Sequence, residues 1–95
     1  MMPNSITVNE LLKLSNINLI DIRNSQSYNN NHINGAINIP YEKLLINPNI
    51  LDKNKKYYIY CQKGITSNKL CNYLNKIGYH TYSIVGGYEE WIMKK

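Results

Sequence analysis

Phenylalanine does not occur in this 95-residue chain, and aromatic bulk is carried by nine tyrosines and one tryptophan. With the abundance of Asn, Ile and Lys, this is the residue usage of an A/T-rich coding sequence and points to no chemistry. Cysteine is scarce, Cys61 and Cys71 being the two present. Two are too few for a disulfide framework, and with His32 and His80 they form no spacing suited to zinc, so no metal is expected. No apolar run approaches the length needed to cross a bilayer, which excludes a membrane-spanning segment. The N-terminus, MMPNSITVNELLKL, lacks a basic segment followed by an apolar core and a small-residue cleavage site. A cytoplasmic location is therefore expected. Repeats, low-complexity tracts and Gly/Pro-rich linkers are absent, and the length suffices for one core, so residues 1–95 are expected to form a single domain. Positive charge is in excess, at +5. Lys53, Lys55 and Lys56 are its only cluster, and a binding stripe for nucleic acid is not expected.

What is present is a series of short apolar runs: SITV at 5–8, NLIDI at 18–22, AINI at 36–39, KYYIYC at 56–61 and TYSIV at 81–85. Each has strand length and is rich in β-branched or aromatic residues. Helical spacing lies between them, with Val8, Leu11 and Leu12 following a cap at Thr7, and with Leu70, Leu74 and Ile77 preceding a stop at Gly78. The polar stretch NNNHIN at 29–34 reads as a loop. Strands alternating with helices predict an α/β fold, a mostly parallel sheet of four or five strands with helices on both faces. In such sheets a site forms at the carboxyl ends of the strands, where Cys61 falls. The lysines of KNKK precede the same strand and face the opposite edge.

Cys61 sits where an apolar run stops and a helical pattern begins. Local pattern alone leaves open a small buried hydrophobe or a nucleophile. If the helix starts near Thr66 or Ser67, the turn QKGIT brings backbone N–H groups together, with Gly64 free to take a positive φ. Unpaired N–H groups at the positive end of a helix favour an anion, here a thiolate. No adjacent His or Asp is then needed as a base. Lys63 supplies the only side-chain positive charge in the turn.

Three segments carry a resemblance. LIDIRNSQSYNNNHINGAINIP resembles the first signature of the rhodanese family, YIYCQKGITS its active-site loop, and GGYEEW its last signature. They run in the family's order over nearly the whole chain, and the three together are specific where one would be weak. Thr66 stands where many single-domain members carry Arg, Asn31 where Gly is usual, and Ser27 where Glu is usual. The resemblance implies a rhodanese-like three-layer fold and a sulfurtransferase with Cys61 as catalytic sulfur carrier through a persulfide, without metal or organic cofactor. It implies that Gln62, Lys63, Gly64, Ile65, Thr66 and Ser67 bind the substrate. The six-residue loop from Cys61 to Thr66 resembles sulfur-transferring members, and its basic residue resembles those using thiosulfate. The expected partners are thiosulfate or another small anionic donor, with cyanide, a small thiol or a protein thiol as acceptor. A monomer or weak dimer is expected. Two other readings stay open: a persulfide carrier or docking module loaded by a protein, and a cysteine-dependent phosphatase or arsenate reductase.

Other residues read as structural. Asp21 and Arg23 end a strand on the expected active edge with side chains on one face, which suits an ion pair supporting the fold or the loop. Cys71 lies beyond the loop on the same helix and reads as a core residue. His32 reads as an anchor for its own loop, Tyr28, Tyr88 and Trp91 as packing, Gly86 and Gly87 as the turn before the last helix, and His80 as surface.

Overall fold

Alternation along the strands sorts the apolar residues into two cores, one on each face of a sheet. In the computed structural model, which describes residues 4–95, the strands are β1 (Ser5–Ile6), β2 (Asn18–Asp21), β3 (Ile37–Asn38), β4 (Lys56–Tyr60) and β5 (His80–Ile84). The first three positions of the expected domain and of the expected leaderless N-terminus lie outside the described residues. The five strands form one sheet in the order β1-β5-β4-β2-β3, and every neighbouring pair is parallel. Ile59 in central β4 lies level with Ile20 of β2 and Ser83 of β5.

Ile20, Ile22, Ile59 and Cys61 face one core, against Leu44 of α3 (Tyr41–Ile46) and Leu70, Cys71 and Leu74 of α4 (Ile65–Lys76). Leu19, Tyr60 and Ile84 face the other, against Val8 and Leu11 of α1 (Val8–Leu11) and Tyr88 of α5 (Gly87–Lys94). The helices thus cover both faces, as the alternation of strand and helix predicts. Thr7 caps α1 in a capping box with Glu10, each satisfying the other's free N–H. Gly78, at φ 104°, follows the end of α4.

Two local expectations change. Asn29 and Asn30, expected in a loop, close a helix, α2 (Ser25–Asn30). Asn24 starts it by accepting the Ser27 N–H at 2.8 Å. None of its residues is buried, so it carries no apolar period from which to read it. Leu12 and Ile77, counted with the helical apolar faces, are both more than a third exposed and lie just past the ends of their helices. Among the described residues no helix is long and apolar enough to cross a membrane.

Candidate active site

β4 delivers Cys61 to the carboxyl edge of the sheet, between β2 and β5. The chain then turns into α4 within three residues. Gly64 makes this possible by taking φ 89°, a left-handed conformation that costs a residue with a Cβ. The helix therefore starts at Ile65, slightly earlier than the sequence suggests. The main-chain N–H groups of Gly64 and Ser67 both point at Cys61 Sγ, each at 3.2 Å. Ser67 Oγ lies 3.4 Å from the same sulfur and 2.7 Å from Ser83 Oγ on β5. As a thiol, Cys61 donates to Ser67. As a thiolate, it can accept from two N–H groups and one hydroxyl, at the positive end of a twelve-residue helix. Cys61 is buried, at 7% exposed.

The outer side of the loop is held by the first turn of α5. Tyr88 N–H donates to Cys61 O at 2.9 Å, and Glu89 N–H to Gln62 O at 3.0 Å. This contact brings backbone against backbone. A Cβ at Gly64 would stand 2.8 Å from Gly86 N, and one at Gly87 would meet Gly64 N and Cys61 O. The glycine pair expected to form a turn also leaves room for the loop.

Asp21 and Arg23 form the expected ion pair, with Nη2 to Oδ2 at 2.8 Å. Asp21 is fully buried, and its carboxylate also takes the Arg23 main-chain N–H. Burial works against the guanidinium charge, but the hydrogen bonds and charge of Asp21 outweigh it and hold the Arg23 pKa above its ordinary value. Arg23 also reaches Asn31 O at 2.6 Å, Gln62 Oε1 at 3.2 Å, and the rings of Tyr88 and Tyr60, whose centres lie 4.1 and 5.8 Å away. The pair thus anchors both the fold and the loop. Gln62 uses its other end, Nε2, to contact Glu89 Oε2 at 3.4 Å.

Of the expected loop residues, the structure brings Gly64 and Ser67 to the sulfur. Gln62 turns aside to Arg23 and Glu89, and the side chains of Lys63, Ile65 and Thr66 are exposed. Cys71 is a core residue, wholly buried, and burial pushes its thiol up to about 12. His32 Nδ1 is 2.8 Å from Tyr28 O, and its ring stacks on Tyr28, which anchors their segment. Tyr28 in turn donates to Ala36 O at 2.6 Å. His80 is exposed. Sequence reasoning passes over Ser83 and Glu89. Ser83 could be found as the small polar residue one strand period beyond buried Thr81, while Glu89 lies inside the GGYEEW segment without a pattern of its own. Among the described residues, no group of His, Cys, Asp and Glu gathers in a way that could hold a metal ion.

The fold and the thiol together define a parallel α/β domain built around one loop cysteine at the head of a helix. The chain belongs to the rhodanese-like domain family, whose model matches residues 7–94. It is 35% identical to the thiosulfate sulfurtransferase GlpE of Coxiella burnetii over 83 residues, covering 86% of this chain and 78% of that protein. It is 32% identical to the GlpE of Shewanella oneidensis over 90 residues, covering 90% and 89%. The crystal structure of a rhodanese-related protein from Thermoplasma volcanium superposes with a TM-score of 0.89 at 27% identity, covering 96% of this chain and 92% of that one. The family and these relatives support a sulfurtransferase activity in general.

Proposed function

We propose that the protein is a thiosulfate sulfurtransferase in which Cys61 carries the sulfur. The observation that carries this reading is the pair of main-chain N–H groups, from Gly64 and Ser67, directed at Cys61 Sγ. In the first half-reaction the Cys61 thiolate attacks the outer sulfur of thiosulfate. A sulfur–sulfur bond forms to Sγ, the bond to the sulfonate sulfur breaks with its electron pair, and sulfite leaves. In the second, an acceptor such as cyanide or a thiol takes the outer sulfur and returns Cys61 to the thiolate. Sγ is anionic before the first step and after the second, and the two N–H groups and the Ser67 hydroxyl offset that charge from fixed positions. Lys63, exposed on the loop, attracts the dianionic donor. No cofactor takes part.

The names of the two GlpE relatives support thiosulfate as the donor. Intact mass after incubation with thiosulfate tests the reading. A gain of one sulfur atom is expected in the wild type and in Cys71→Ser, and none in Cys61→Ser. A chromogenic phosphate ester should stay uncleaved; its hydrolysis would favour the phosphatase reading. A persulfide formed from a protein donor but not from thiosulfate would favour the carrier reading.

A further inference from the structure

Two full charges border the loop on exposed side chains, Lys63 within it and Glu89 on the first turn of α5. Glu89 is placed by two bonds to the residue that follows Cys61: its N–H donates to Gln62 O at 3.0 Å, and its Oε2 lies 3.4 Å from Gln62 Nε2. Gln62 Oε1 accepts from Arg23 Nη1, so the amide lies between a guanidinium and a carboxylate with each end matched to its neighbour. The charge of Arg23 is balanced by buried Asp21. The salt bridges among the described residues are Arg23–Asp21 and Lys94–Glu90, and Glu89 is in neither. Its charge is therefore exposed beside the loop and is balanced by no salt bridge among the described residues.

We propose that Glu89 is a specificity-determining residue that directs the sulfur on Cys61 toward acceptor thiols carrying a positive charge. The inference rests on the persulfide reading given above. In the acceptor step a thiolate attacks the outer sulfur of the Cys61 persulfide. A bond forms between those two sulfurs, the bond to Sγ breaks, and its electron pair stays on Sγ beside the N–H groups of Gly64 and Ser67. The acceptor departs as a persulfide and takes the outer sulfur's proton with it. The incoming thiolate brings negative charge past Glu89. An ammonium group on the same acceptor offsets that repulsion, and a carboxylate adds to it. Lys63 and Glu89 then divide the work, one attracting the anionic donor and the other selecting the acceptor. For exposed charges several ångströms apart in water, the effect on rate is about two- to five-fold.

The test begins with wild type, Glu89→Gln and Glu90→Gln, each loaded with sulfur and checked by intact mass. The persulfide is then discharged in a single turnover by cysteamine, mercaptoethanol or mercaptopropionate. For each thiol the ratio of variant to wild-type rate cancels the thiol's own reactivity. Glu89→Gln should speed mercaptopropionate about four-fold and mercaptoethanol about two-fold, and leave cysteamine, whose ammonium already offsets the repulsion, nearly unchanged. Glu90→Gln, which removes a charge paired with Lys94 in the same helix, should change none of the ratios. Short peptides with cysteine between two lysines or two glutamates distinguish a protein acceptor from a small aminothiol: a protein acceptor requires the peptides to follow the same order. Equal slowing of all three thiols by Glu89→Gln would overturn the proposal and leave Glu89 a loop support, and unchanged ratios would also overturn it. Failure to load sulfur on Cys61 in the wild type would overturn the persulfide reading, and this inference with it.

Discussion

The carbonyl oxygen of Cys61 accepts the main-chain N–H of Tyr88 at 2.9 Å. This short contact is possible because the residue before Tyr88 has no side chain. Gly87 has φ 61°, and a Cβ there would run into Cys61 O, Gly64 N and the carbonyl carbon of Gln62, all backbone atoms that cannot swing away. Gly87→Ala should therefore cost about 2–4 kcal/mol, from strain and overpacking together, and should lower sulfur transfer further by shifting the loop. Gly35, at φ 91° with open space around its Cβ position, is the contrast. Gly35→Ala should cost about 1 kcal/mol and leave activity intact. Urea denaturation of both variants, with turnover measured on the folded fraction, checks the pair.

Cys71 should make stability depend on alkaline pH. Burial pushes its thiol up to about 12, whereas an unfolded cysteine titrates near 8.5, at roughly neutral-to-alkaline pH. The folded state keeps the proton over this window and the unfolded state loses it, so stability falls as pH rises from about 9 toward 12, by about 1.4 kcal/mol per pH unit. Cys71→Ala lacks this contribution. The gap between wild type and Cys71→Ala in urea denaturation should narrow by about 1.4 kcal/mol from about pH 9 to 10. A constant gap would mean that Cys71 ionises freely in the folded protein.

Breaking the buried pair should cost more than removing it. Arg23→Met leaves the Asp21 carboxylate buried without its partner, at an expected cost of about 3–5 kcal/mol. The double variant Asp21→Asn with Arg23→Met removes the stranded charge and should recover a measurable part of that loss. Chemical denaturation of the single and double variants gives the comparison. A double variant no more stable than Arg23→Met would show that the bonds from Arg23 to Asn31 and Gln62 outweigh the ion pair.

Lys63→Ala should weaken use of thiosulfate about five-fold, and use of a monoanionic donor less, because the dianion gains more from the lysine. Added salt should reproduce part of that loss in the wild type and have a smaller effect in the variant. The measurement is kcat/KM for both donors at two ionic strengths. An equal loss for both donors would assign Lys63 to the shape of the loop.

How much of this is legible before folding depends on whether the cause is local. The strands β2, β4 and β5 are, because each lies in a short apolar run whose alternation the two cores then use, as with Ile59 facing α4 and Tyr60 facing α5, whereas β1 and β3 pair over two residues each and Ile37 of β3 is exposed. The turn at Gly64 is legible too, since a glycine between a strand and a helix signals a left-handed residue. α2 is not, because none of its residues is fully buried and its contact with the core comes from partly buried Tyr28, too little for an apolar period. The contributions of Ser83 and Glu89 depend on β4 lying between β2 and β5 and on α5 beginning against the loop. Such neighbours are set by the order of strands in space, which no single segment encodes.

The sulfur of Cys61 is held mainly by peptide groups, and the loop carbonyls are tied to peptide groups of α5. The side chains of Lys63, Ile65 and Thr66 are exposed. If Cys61 carries the sulfur as proposed, mutation at these positions can alter what the outer loop recognises without rebuilding the pocket around the thiol. Under laboratory selection for a new sulfur donor, gains should concentrate at these three positions, whereas Gly64, Gly86 and Gly87 should stay fixed from the first round to the last.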